Sequence, residues 1–83
     1  MTQHMGAGEI FPGVTIDPNI VHGKPVITGT RVLVSQVVGH LAAGDTFETV
    51  CEAYGLTEEQ VRAALGYAAS RVASEEVYVL ASS

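Results

Sequence analysis

Near residue 35 the apolar side chains of this chain change their period, and that change leaves few folds open. Up to that point they come as pairs or short runs between turn formers: Val14-Thr15-Ile16, Ile20-Val21, Val26-Ile27 and Val32-Leu33-Val34. Beyond it they recur every three or four residues, in segments separated by Gly44 and Gly55. A period of two belongs to strands and a period of 3.6 to helices. The expectation is an α+β fold, with short N-terminal β-strands over residues 14–34 followed by a three-helix, helix-turn-helix unit.

Local signals sharpen both halves. Asp17-Pro18-Asn19 suits a turn, because Asp accepts from the backbone N–H two residues on and Pro presets φ. His22-Gly23-Lys24-Pro25 is a second turn. Thr28-Gly29-Thr30 separates two expected short strands, Val26-Ile27 and residues 31–34. Residues 1–13, small and glycine-rich, form an expected flexible lead-in, with Ile10 and Phe11 as docking side chains. Ser35 is the expected N-cap of a first helix through Ala43 that buries Val37, Val38 and Leu41 and stops at Gly44. Thr46 caps a second helix through Tyr54, with Phe47, Val50, Cys51 and Tyr54 on one face, and Gly55 ends it. Thr57 with Gln60 makes a capping box for a third. Along that helix Val61, Ala64, Leu65, Ala68 and Val72 form one apolar stripe. Gly55-Leu56-Thr57 allows the sharp reversal between the last two helices, with Leu56 filling the angle. The helix-turn-helix domain is expected over residues 14–74 and a short apolar tail over 75–83. Val77, Tyr78, Val79 and Leu80 in that tail suit a strand or extended docking segment, and are the candidate partner-binding residues.

Eighty-three residues make one small domain. With 47% hydrophobic and 16% charged residues the chain is too apolar for a disordered tail. Its core is small, so self-association as a homodimer is expected. No apolar run reaches the roughly 20 residues that span a bilayer, and the first eight residues lack the pattern of a signal peptide. A lone Cys51 forms no internal disulfide, which fits the cytoplasm, and suits a small apolar core position. His4, His22, His40 and Cys51 stand at no CxxC or HxxxH spacing, so no metal is expected. His40 is expected on the exposed side of its helix. Gly23-Lys24-Pro25 lacks the flanking residues of a phosphate-binding loop. No nucleophile–base arrangement is apparent, so neither catalysis nor a cofactor is expected.

Nine Asp and Glu against four Lys and Arg leave a formal charge of −5. Nucleic-acid binding relies on cations that displace phosphate counterions, so an acidic chain must concentrate its few or double them by pairing. In a helix-turn-helix reader the second helix presents its first side chains to the base edges. Here Gln60 could meet adenine and a Glu the cytosine amino group. Glu58 and Glu59 have a plainer explanation, since acidic side chains favour the positive end of the helix dipole. The candidate DNA contacts are Lys24, Arg31, Thr57, Gln60 and Arg62. For Arg31 the competing expectation is an ion pair with Asp17 or a helix carboxylate. The net charge suits a basic protein partner better than a polyanion. A DNA reader and a protein-interaction or dimerisation module therefore both remain open.

Several segments occur together in a familiar order. Ile16-Asp17-Pro18-Asn19, Gly23-Lys24-Pro25-Val26-Ile27, Gly29-Thr30-Arg31 and Leu41-Ala42-Ala43-Gly44 come first. Leu56-Thr57, Val61-Arg62-Ala63-Ala64-Leu65 and Tyr67-Ala68-Ala69 complete the series. Over residues 14–70 the chain resembles the short bacterial and archaeal family called domain of unknown function 433. The resemblance implies a winged-helix or homeodomain-like helix-turn-helix. It also implies an antitoxin of the VapB type, paired with a PIN-like ribonuclease toxin and acting on operator DNA as an autorepressor. On that resemblance Gly29, Thr30 and Arg31 mark the signature turn, and residues 57–62 the start of the recognition helix.

Overall fold

A computed structural model of the chain describes the backbone of residues 8–82 and the side chains of residues 8–75. Three short strands, β1 (Glu9–Phe11), β2 (Val14–Thr15) and β3 (Val26–Ile27), form an antiparallel sheet in the order β1-β2-β3. Three helices follow: α1 (Val34–Ala42), α2 (Phe47–Tyr54) and α3 (Glu58–Ser82). The α+β order expected from the change of period is the observed one.

The sheet begins earlier than expected. Part of the supposed lead-in, Glu9–Phe11, pairs with β2. The reversal between them closes on Glu9, whose carboxylate accepts the Gly13 N–H at 2.7 Å. Gly13 lies at φ +88°, and a Cβ placed there would sit 2.7 Å from the Ala63 Cβ of α3. Only glycine lets this turn lie so close to the helix. Phe11 then packs edge-on against Tyr67, with ring centroids 5.9 Å apart. Its ring also occupies the space that a side chain at Gly66 would need.

Val14 pairs with Ile27 and Thr15 with Val26. Asp17 accepts the Asn19 N–H at 2.8 Å, as the turn signal required. A tight turn at Val21–Gly23 precedes Lys24, with φ of 46° at Val21 and 57° at His22. A β-branched residue rarely occupies that region, so this turn is strained. The strand expected over residues 31–34 shrinks to one bridge between Val26 and Leu33. The Thr30 hydroxyl explains this, donating to the Ile27 carbonyl and accepting the Val32 N–H. It holds a tight turn, and Val34 already belongs to α1.

The first helix starts one residue before its expected cap. Gln36, rather than Ser35, serves the N-terminus by accepting the Leu33 N–H at 2.9 Å. The other two caps are as expected. Thr46 accepts the Thr49 N–H at 3.0 Å. Thr57 and Gln60 exchange reciprocal bonds of 2.8 and 3.1 Å. Gly55 ends α2 in the left-handed conformation, φ 68° and ψ 37°, turning the chain into α3. Leu56 is buried in that angle.

The core joins sheet to helices through Val14, Ile27, Val34, Val37, Val50, Leu56, Val61 and Ala64, all buried. Val38, Leu41, Phe47, Cys51 and Tyr54 pack around it half-buried. The stripe on α3 is covered only in part. Val61 and Ala64 are fully buried, Leu65 and Ala68 half-buried, but Val72 is 54% exposed. The expected strand or extended tail is instead the continuation of α3 to Ser82. Side chains Val77, Tyr78, Val79 and Leu80 lie outside the described residues. Among the described residues no helix is long and apolar enough to cross a membrane.

Candidate functional site

The start of α3 is crowded with polar groups that already have partners. Thr57 and Gln60 are bound to each other in the capping box. Arg62 donates to Glu58 at 3.1 Å, one turn back, and its guanidinium lies 5.8 Å from the centre of the Phe47 ring on α2. Both members of that ion pair are largely exposed, so it is weak in water. The ring contact gives Arg62 a fixed direction. Gln60 turns the other way, towards Pro12 and Gly13, where it lines a shallow hollow with Glu59 and Ala63. Glu58 and Glu59 stay exposed at the tip.

The other two candidate cations sit on different elements. Lys24 is exposed just after the strained turn, and Arg31 is exposed in the loop between β3 and α1. Among the described residues neither forms an ion pair, and the bridge expected from Arg31 to Asp17 is not made. Thr57, Gln60 and Arg62 thus share the first turns of α3, while Lys24 and Arg31 belong to the loops on either side of β3.

One polar constellation escaped the sequence. His40, expected on an exposed helix face, is half-buried between the end of α1 and α2. Its Nδ1 lies 2.7 Å from the Asp45 carboxylate and its Nε2 2.9 Å from the Tyr54 hydroxyl. A carboxylate only accepts, so Nδ1 carries the proton, and in the neutral ring Nε2 accepts the phenol O–H. The His40 and Tyr54 rings also meet edge to face, 5.5 Å apart. The network closes the α1–α2 turn, and its His40 and Tyr54 wall an open hollow of about 420 Å³ with Ser35, Gln36, Gly39 and Ala43. Its members stand five and fourteen residues apart, outside any helical or strand period, so spacing offered no signal. Among the described residues no three of His, Cys, Asp and Glu gather as metal ligands would.

A second hollow, of about 400 Å³, runs between α1 and α3 beneath the strained turn. Pro25, Leu33, Val38, Tyr67 and Ala68 make it apolar, and among the described residues Lys24 is the one charged residue that lines it. A charged residue at an otherwise apolar groove fixes the orientation of whatever docks there.

Known proteins resemble about two thirds of this chain. Over 52 residues it is 46% identical to a Mycobacterium tuberculosis protein named "Putative antitoxin VapB45", a match covering 63% of this chain and 22% of that protein. Over 56 residues it is 45% identical to uncharacterized protein y4eO of Sinorhizobium fredii, covering 66% and 25%. The crystal structure of Rv2018 from Mycobacterium tuberculosis superposes with a TM-score of 0.58 at 46% identity, covering 63% of this chain and 24% of that one. The chain thus spans about a quarter of the length of these relatives. The family model described as "Protein of unknown function (DUF433)" matches residues 14–68, from β2 through the groove-lining part of α3. On that match, across most of the folded unit, the chain belongs to the DUF433 family.

Proposed function

We propose that this chain is the antitoxin-like member of a toxin–antitoxin pair, and that it acts by protein contact on a PIN-like ribonuclease. The observation that carries the proposal is the 46% identity, over 52 residues, to a protein named "Putative antitoxin VapB45". Charge supports the choice of partner. A ribonuclease surface that holds RNA must be cationic, and a chain of formal charge −5 is attracted to it.

The start of α3 favours protein contact over base readout. Glu58 and Glu59 would approach phosphates at a cost, and the best base-reading side chain, Gln60, is committed to its cap. Among the described residues Lys24, Arg31 and Arg71, on three different elements, are the three cations per copy without an ion pair that a DNA backbone could meet. Three phosphate contacts at most give weak and salt-sensitive binding. In this account any operator binding belongs to the assembled complex rather than to this chain alone.

The test is co-expression with the ribonuclease encoded by a neighbouring reading frame. The two are expected to co-purify in a fixed ratio, with RNA cleavage suppressed as this chain reaches stoichiometry and restored as salt weakens the charge attraction. If a folded, active ribonuclease neither co-purifies nor loses activity in excess chain, the antitoxin role fails. A protein-interaction or dimerisation module of the same fold then remains.

A further inference from the structure

The exposed Val72 and the apolar groove belong to one problem. Over residues 69–75 every side chain of α3 is exposed, a stretch of nearly two turns. A bare helical extension is marginal in water and is held by packing of its apolar face. The stripe on α3 supplies such a face. Ala68 lines the groove, and Val72, four residues on along the same side of the helix, lies 54% exposed beside it.

We propose that a second copy of this chain fills the groove. The α3 extension of each copy lies along the groove of the other, with Val72 seated against Val38, Tyr67 and Ala68 of its partner. The arrangement is two-fold, because groove and bare stripe adjoin on the same helix, so each copy gives and receives the same contact. Charge selects this occupant. Among the described residues Lys24 is the one charged lining residue, and Glu75 follows Val72 by three residues, on the same face. When Val72 meets the apolar floor, Glu75 comes to the Lys24 side. The pairing does not depend on the ribonuclease: it is a property of this chain alone.

Light scattering on a sizing column, repeated over a dilution series of the full chain, tests it. The wild type is expected to be a dimer that dissociates on dilution. Val72→Asp, at an exposed position and so compatible with folding, should weaken it roughly ten- to a hundredfold while the helical circular dichroism persists. Lys24→Glu and Glu75→Lys should each weaken the dimer several-fold, and the double reversal should restore it, which unfolding would not do. A chain that stays monomeric at every concentration overturns the proposal. So does a dimer indifferent to Val72→Asp, or single charge reversals whose effects merely add. If the wild type is monomeric alone but loses ribonuclease binding on Val72→Asp, the groove belongs to the toxin and the second copy is excluded.

Discussion

Replacing Ile27 with alanine is expected to lower the thermal unfolding midpoint by roughly 10–40 °C, the largest effect of any single truncation in the sheet. Ile27 is 1% exposed and is among the largest fully buried side chains of the domain. It reaches from β3 across Val14 into the cluster of Val34, Val37, Val50 and Val61. Truncating a buried isoleucine costs about 2–5 kcal/mol, through lost apolar burial and the cavity left behind. The small sheet cannot collapse into that cavity freely, because the Ile27 N–H and C=O tie it to Val32 and Thr30. A domain of this size moves by about 4–8 °C per kcal/mol. Ile10→Ala on β1, where the side chain is 42% exposed, is the control and should cost less than about 1 kcal/mol. Equal shifts at the two positions would contradict a core that joins sheet to helices through β3.

Gly13→Ala should be nearly as damaging, for a different reason. The added Cβ meets the Ala63 Cβ at 2.7 Å, and the residue stands at φ +88°. The backbone conformation costs an L-residue about 1–2 kcal/mol, and forcing the hairpin off α3 adds about 1–3 kcal/mol. Chemical denaturation should lose about 2–5 kcal/mol with the slope little changed. The two causes separate in a double-mutant cycle. Ala63→Gly removes the steric partner, so Gly13→Ala should cost less in that background by about 1 kcal/mol or more. Strict additivity would mean that the turn does not rest on α3.

What could be foreseen from the residues was local. The Thr57–Gln60 box, the Thr46 cap, the Asp17–Asn19 turn and the Gly55 stop each depend on bonds closed within a few residues. The order of strands and helices followed from the period of the apolar residues. Features decided by distant partners were not legible. β1 has too few residues to show alternation, and it forms because Gly13 and Gly66 leave room on α3 for the hairpin and Phe11. The His40 network joins Asp45 and Tyr54 across a turn. The run Val77-Tyr78-Val79-Leu80 suggested a strand, yet it continues a well-capped helix, where propagation is easier than a new start. The stripe through Val72 correctly named a face, but periodicity cannot say what covers that face. Among the candidate cations, the Glu58–Arg62 pair follows from its i,i+4 spacing, but no spacing foretells that Arg62 meets the Phe47 ring or that Lys24 lines an apolar groove.

The central claim is that this acidic module works through protein surfaces and does not itself read DNA. Fluorescence anisotropy of a labelled duplex from upstream of its gene, titrated with the chain alone at low and then moderate salt, tests that most directly. The expected result is no saturable binding tighter than the micromolar range of nonspecific contact, with little left as salt rises. The contradicting result is tight, sequence-dependent binding by the chain alone, with a salt dependence equivalent to about four or more phosphate contacts, lost on Arg62→Ala or Gln60→Ala at the start of α3.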